Sequence, residues 1–430
     1  MSKQLNRREM LRGTTLAGVG VWLSPGANAR ADSQSPNEKL NIALIGAGGR
    51  GASNLAGVAS ENIVALCDVD ERRAGASFAK YPSIKKFHDF RQMLDDMDKQ
   101  IDAVVVSAPN HIHAPASVMA MKMGKHCYCE KPLAHSLYEA RLAAQVAAEQ
   151  GVATQMGTQI HATDNFRRVV ELVQSGAIGQ TREVHIHLAG GPTADDRPTE
   201  TPAVPSGLQW DLWLGPAPDR PYHPCYVPHD WHYWWDFGGG LLGNMGCHYL
   251  DLPCWALDLR SPTTIEAKGS PLHPESTPHE LTIRWDFPAR DKLPPVSVTS
   301  HGDRRPRFWK EHELPDWAWC VFVGSEGMLL ANYTQHMLWP ASRFADFKRP
   351  EPTIAASIGH HNEWIAACKT GNPTTCNFDY SGAVTETVLL GNVAFRCGKQ
   401  IEWDPVNLQV SNVPEANQYL QREYRQGWTI

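Results

Sequence analysis

The chain has no apolar run approaching the roughly 20 residues that cross a bilayer. It also has no surplus of basic charge and no close-spaced cysteine framework. The first absence excludes a transmembrane helix as an anchor. The second, with a formal net charge of −6, removes the electrostatic footprint of nucleic-acid binding. The third excludes a small disulfide-held scaffold: ten cysteines are spread through 430 residues and are expected to be mostly buried free thiols. No internal repeat is found, and 430 residues exceed what one growing core holds, so two domains are expected. What is abundant is tryptophan, with 15 residues, many of them between Trp210 and Trp255. Most are expected to fill a second core, and a minority to line a site for a sugar ring.

Residues 1–31 read as a leader. Arg7 and Arg8 precede a short apolar run over 14–23, and small residues end it at Ala27-Asn28-Ala29 or Ala29-Arg30-Ala31. Paired arginines point to the twin-arginine route and an extracytoplasmic or periplasmic location. The run is too short to stay behind as an anchor. Its removal takes away five basic residues against Glu9, leaving a more acidic chain.

The next block, 39–158, reads as a Rossmann domain. An apolar run over 41–45 is followed at once by Gly46-Ala47-Gly48-Gly49-Arg50-Gly51 and then by a helix-compatible segment over 52–59. This strand–turn–helix setting turns GxGxxG into a specific sign of a dinucleotide site. Gly46 permits the tight turn, Gly48 lets the backbone approach a pyrophosphate, and Gly51 lets the helix pack against the strand. Helix N–H groups then face the phosphates. A second apolar run over 63–67 ends at Asp68, where a carboxylate accepts from the adenosine ribose hydroxyls and repels a 2′-phosphate. NAD is thereby favoured over NADP, with Arg72 and Arg73 as the countervailing sign. A strand over 101–107 leads into Pro109, Asn110 and His113, at the strand ends where ligands sit. A helix is expected over 116–124. It is followed by Lys125-His126-Cys127-Tyr128-Cys129-Glu130-Lys131-Pro132.

These motifs resemble the Gfo/Idh/MocA oxidoreductases, which act on sugars, cyclitols and related alcohols. The resemblance rests on the glycine turn, on Pro109-Asn110 with His113, and on Gly124-Lys125-His126 leading into Glu130-Lys131-Pro132. It continues through Gly238-Gly239-Gly240 and His248 to the strand–turn over 322–327. It implies that Ser107, Pro109, Asn110, His113, Glu130 and Lys131 stand near the cofactor, with Lys131 between nicotinamide and substrate. A lysine directly after a Rossmann strand offers three donors to a reacting hydroxyl. The competing structural reading is an ion pair between Glu130 and Lys131.

From 159 to 430 the alternation of helices and parallel strands stops. Segments over 183–188, 281–285 and 296–300 alternate as half-buried strands, and 320–323 reads as a continuous apolar one. The fold class is therefore α/β: a Rossmann domain plus an α+β domain with a large open, mostly antiparallel sheet. By the family resemblance that sheet pairs between copies, giving a dimer or tetramer.

Asn244 and His248 lie i and i+4 on an expected helix and share a face. The family pattern places a carboxylate at the first position and a proton-accepting histidine at the second, so His248 is expected to be the general base with Lys131 as its electrostatic partner. Asn244 departs from that pattern, because an amide orients a hydroxyl but does not raise a histidine's basicity. Asp251, at i+3, is the candidate to compensate and to meet substrate. His223, Cys225, His229, Asp230, Trp231 and His232 lack the paired short spacing of a zinc site, so no metal is expected; Trp231 and His232 are read as substrate contacts. His360 and His361 either reach the pocket or start a helix.

Export adds a constraint. Free NAD is scarce outside the cytoplasm, so an exported member is expected to hold its cofactor tightly and to complete its redox cycle internally. The leading expectation is an oxidoreductase acting on a secondary alcohol of a sugar, glycoside or cyclitol. The alternative is redox-neutral glycoside cleavage by oxidation, elimination, hydration and reduction. The third is a catalytically silent sugar sensor.

Overall fold

The computed structural model describes residues 38–191, 193, 196–304 and 306–430; the leader read over 1–31 lies outside the described residues.

The chain first lays down β1 (Asn41–Ile45), α1 (Arg50–Gly57), β2 (Asn62–Cys67), α2 (Glu71–Lys80), β3 (Lys85–Phe87) and α3 (Phe90–Met97). It continues with β4 (Ala103–Val106), α4 (Asn110–Lys122), β5 (His126–Cys129), α5 (Leu137–Gln150) and β6 (Thr154–Met156). These strands form one parallel sheet in the order β3-β2-β1-β4-β5-β6. β1 and β4 are apolar because helices cover both faces of such a sheet, and every residue of β4 is buried. The order reverses between β1 and β4, which opens a crevice at their carboxyl ends. The helix expected over 116–124 in fact begins at Asn110, directly after extended Pro109. It runs through Pro115, whose missing N–H leaves the His111 carbonyl without its helical donor. Arg422 Nη2 donates to that carbonyl at 2.6 Å instead.

The rest of the chain builds α6 (Asp164–Gln174), β7 (Thr181–His187), α7 (Trp210–Leu214), α8 (Gly240–Leu257), β8 (Thr264–Gly269), β9 (Leu281–Phe287) and β10 (Val296–His301). After α9 (Arg307–Glu311) come β11 (Cys320–Gly324), β12 (Gly327–Ala331), β13 (His336–Trp339), α10 (His360–Thr370), α11 (Phe378–Cys397), β14 (Ile401–Asp404) and β15 (Gln409–Val410). The nine strands run β13-β12-β11-β7-β10-β9-β8-β14-β15. The β7–β10 pair is parallel and the other pairs are antiparallel. β10 alternates buried and half-buried residues along its length, as a sheet with one covered face requires. Val184, Ile186, Ile283, Trp285, Val298 and Phe322 form its buried side, in one continuous core with residues of α6, α8 and α11. All ten cysteines are free, seven of them buried.

Candidate active site

The glycine turn is tight for reasons visible in its neighbours. Gly46 has φ +83°, and a Cβ there would stand 2.7 Å from the carbonyl carbon and oxygen of Ser107. A Cβ on Gly51 would meet the Gly46 carbonyl oxygen at 1.8 Å. Gly48 is fixed by a neighbour the sequence does not reveal: its Cβ would lie 2.9 Å from the Arg73 backbone, so α2 crowds the turn. Gly49, at φ +53°, leads into α1 with no side chain capping the helix and no acidic residue in its first turn. An uncapped helix start beside a crevice is the arrangement that receives an anionic phosphate.

Asp68 closes the turn from below. One carboxylate oxygen accepts from Ala47 N at 2.8 Å and Gly48 N at 2.9 Å, and the other from Asp70 N at 2.9 Å. Burial pushes its carboxyl up from the usual range, and those three amides oppose the rise. A carboxylate has about four acceptor sites, which leaves capacity for a ribose hydroxyl. Glu130 pairs with Arg50 rather than with Lys131: its Oε1 accepts from Arg50 Nε at 2.9 Å, Asn54 Nδ2 at 3.0 Å and Gln159 Nε2 at 2.8 Å. Burial raises the Glu130 carboxyl, but Arg50 and Asn54 outweigh that and hold it below the ordinary value. Ser107 Oγ accepts from the same Asn54 at 2.9 Å. His113 is 1% exposed and bridges the Pro132 and Ala108 carbonyls at 2.6 and 2.7 Å, bracing the ends of β4 and β5.

A cavity of about 660 Å³ runs from this turn to the start of α8. Along it stand Gly46, Gly48, Gly49, Arg50, Asp68, Ser107, Pro109, Asn110, His113 and Glu130, and then Lys131, Trp231, His232, Asn244 and His248. Lys131 Nζ donates to the Asn244 carbonyl at 2.6 Å and to its Oδ1 at 2.9 Å. Two of the three amine donors are thus taken, and one remains. Burial lowers the Lys131 pKa from its ordinary value, against the pull of Glu130. Burial, then the Lys131 charge, pushes His248 down to about 4, and the same two causes push His232 down to about 3. Among the described residues, Nδ1 of each imidazole is buried without a hydrogen-bond partner. An amine flanked by two imidazoles that burial holds neutral is a donor–acceptor set suited to a hydroxyl.

Asp251 is a correction. It is 1% exposed and does not reach the cavity, because His161 Nδ1 holds its two oxygens at 2.9 and 3.0 Å and Tyr380 OH donates to it at 2.8 Å. It does not line the cavity, and it acts on His248 only through its charge, which opposes the fall in the imidazole pKa. Its work is structural, tying α8 to the short turn Gln159–Ala162 that carries Gln159. Within the 223–232 cluster, the His223 ring accepts from Cys225 N at 3.1 Å, while His229, Trp231 and His232 line the cavity. The ligand-type atoms of His161, Asp251 and Cys376 lie within 4.8 Å of one another, away from that run. His360 and His361 start α10; His361 stacks on Tyr128 at 5.0 Å and its Nε2 donates to Asn54 Oδ1 at 3.1 Å, outside the cavity. Gln159, Tyr333 and Trp428 also line the cavity, and no motif or local spacing points to them.

A family model described as an oxidoreductase family, NAD-binding Rossmann fold, matches residues 40–158, and its companion C-terminal alpha/beta model matches 163–289. The chain belongs to the Gfo/Idh/MocA family. Among curated proteins this Gfo/Idh/MocA chain is similar to the inositol 2-dehydrogenase of Salmonella typhimurium, at 28% identity over 34% of this chain and 45% of the relative. It is also similar to a glycosyl hydrolase family 109 protein of Solibacter usitatus, at 32% identity over 41% of this chain and 44% of the relative. These matches span less than half the length of either relative. Over the whole fold it resembles the WlbA dehydrogenase from Bordetella pertussis, solved with NADH and UDP-GlcNAcA. That likeness has a TM-score of 0.60 at 17% identity, covering 85% of this chain and 99% of the other.

The Gfo/Idh/MocA site as it stands here carries an amide where a carboxylate would change the titration. Asn244→Asp would place a carboxylate where Oδ1 now accepts from Lys131 at 2.9 Å. An anion there favours the charged forms of both Lys131 and His248, so both pKa values rise. The alkaline and acid limbs of kcat/KM are each expected to move upward by about one pH unit. A pH profile of the variant unchanged from wild type removes the electrostatic link between Asn244 and the pair.

Proposed function

We propose that this chain oxidises a secondary alcohol of a sugar, glycoside or cyclitol with NAD. We also propose that it is exported by residues 1–31 and keeps its cofactor through the cycle. The observation that carries the reading is the Lys131 amine, held by Asn244 in the same cavity as the glycine turn and with His248 beside it.

Gly46 to Gly51 with the start of α1 would hold the pyrophosphate, and Asp68 the adenosine ribose. Held there, NAD would supply a hydride acceptor for the alcohol carbon. Lys131 orients the hydroxyl through its remaining donor and stabilises the negative charge that grows on oxygen as the proton leaves. His248, neutral at pH 7 because burial holds it at about 4, takes that proton. The Trp231 ring lies against His232, with centroids 3.6 Å apart and planes tilted by 32°, and offers an aromatic surface to the sugar ring.

A second reading has its own support, the similarity to a glycosyl hydrolase family 109 protein. In that route oxidation would acidify the neighbouring C–H, the glycosidic substituent would be eliminated, water would add, and the hydride removed at the start would return to the carbonyl, with no net redox change. The two readings separate on an aryl glycoside given without external acceptor. The dehydrogenase is expected to release no phenol beyond one equivalent, whereas multiple turnovers with an unchanged nicotinamide band support the glycosidase. Under either reading the purified protein is expected to carry NAD through gel filtration. Protein that emerges free of NAD and rebinds it only at millimolar concentration contradicts retention.

A further inference from the structure

The cavity extends past Asp68, and its far end is walled by residues that the parallel sheet does not supply. Two segments from beyond the parallel sheet close over it. The first lies beside the loop after β2: Glu71 N donates to Gly207 O at 2.9 Å and Gln209 N to Val69 O at 2.8 Å. That pairing brings Leu212 and Trp213 to the wall.

The second is the end of the chain. Arg422 Nη2 bonds the His111 carbonyl that Pro115 leaves open, and Arg422 Nε and Tyr424 OH share Glu139 Oε1 at 2.7 and 2.6 Å. Arg425 N donates to Pro216 O at 3.0 Å, and Arg91 Nη1 to Gly427 O at 3.0 Å. Gln426, Gly427 and Thr429 are exposed, yet Trp428 between them is only 8% exposed and lines the cavity beside His88, Asp89 and Phe90. The Arg91 guanidinium lies 4.0 Å over its ring, and the Phe90 ring is 5.9 Å away. A polar, exposed segment that buries one large aromatic at the end of a dinucleotide cavity offers a flat apolar surface where a purine has to be received.

We propose that Trp428 and Phe90 form the adenine wall of the cofactor groove, and that the two segments close over the adenosine half so that NAD leaves only when the C-terminal segment lifts. The inference rests on the NAD reading above, and it assigns to the end of the chain a part in retention. Stacking of a base on an aromatic side chain contributes enough for about a tenfold change in affinity, and the Arg91 charge over the same ring holds Trp428 in place.

The test uses the full chain, stripped of nucleotide and reloaded with NADH. Trp428→Ala is expected to release NADH about tenfold faster, followed by nicotinamide fluorescence on displacement. It is expected to weaken ADP-ribose by a similar factor and to leave nicotinamide mononucleotide unchanged. Trp428→Phe keeps an aromatic face and is expected to restore most of the wild-type behaviour, which separates stacking from a general loss of fold. Unchanged release and unchanged ADP-ribose affinity in Trp428→Ala overturn the proposal while leaving NAD binding intact. Equal weakening of both half-nucleotides also overturns it, because the loss is then not at adenine. Wild-type protein that binds neither NAD nor ADP-ribose overturns the NAD reading and this proposal with it.

Discussion

Lys131→Ala is expected to lower turnover about a thousandfold while NAD stays bound. The amine is buried and its position is fixed by two acceptors on Asn244; in the proposed reaction its charge would stand where negative charge grows on the substrate oxygen. Preorganised charge of this kind is commonly the largest single contribution to a rate enhancement. The cofactor turn does not depend on Nζ, because its braces are the Arg50–Glu130 pair and the Asp68 carboxylate. Turnover number and NAD content after gel filtration, measured on the same sample, check both halves of the expectation. Lys131→Arg is not expected to rescue, since a planar guanidinium does not reproduce the two bonds to Asn244 and a third to a hydroxyl. Turnover within tenfold of wild type in Lys131→Ala removes the lysine from the chemistry.

Gly46→Ala is expected to weaken NAD binding at least about a hundredfold. Two penalties act together. The residue sits at φ +83°, which costs an L side chain about 1–2 kcal/mol. The new Cβ also meets the Ser107 carbonyl at 2.7 Å, and that neighbour is backbone that cannot move without parting β1 from β4. Gly75→Ala serves as control. It lies in α2 with open space around its Cβ position, and it is expected to bind NAD normally and to melt slightly higher. Titration calorimetry with NAD reads both variants, and equal affinity in the two dismisses the steric argument.

How much of this was legible in the sequence depends on the range of the contacts involved. The glycine turn, Asp68, Lys131 and the Asn244–His248 pair belong to local strand–turn–helix and i,i+4 relations, and the fold brings all of them to one cavity. The Gfo/Idh/MocA pattern could be read for the same reason. Asp251 shows where locality fails. Its i+3 spacing from His248 is correct, yet the side chain is taken by His161 and Tyr380, partners distant in sequence. Glu130 shows the same limit, since its neighbour Lys131 is the obvious mate and Arg50 is the real one. The parallel β7–β10 pairing within an otherwise antiparallel sheet, and Trp428 against Phe90, arise from contacts that no local period encodes.

The most direct test is an anaerobic single turnover. Wild-type protein carrying NAD is mixed with a panel of sugars, glycosides and cyclitols without external acceptor, and the nicotinamide absorbance band is followed beside Lys131→Ala protein carrying the same NAD. Reduction of bound NAD by at least one secondary alcohol in the wild type, and none in Lys131→Ala on the same timescale, is the expected result. Equally fast reduction in both proteins, or a wild type that stays oxidised with every member of the panel and cleaves no glycoside, contradicts the assignment of Lys131 and its cavity to alcohol oxidation.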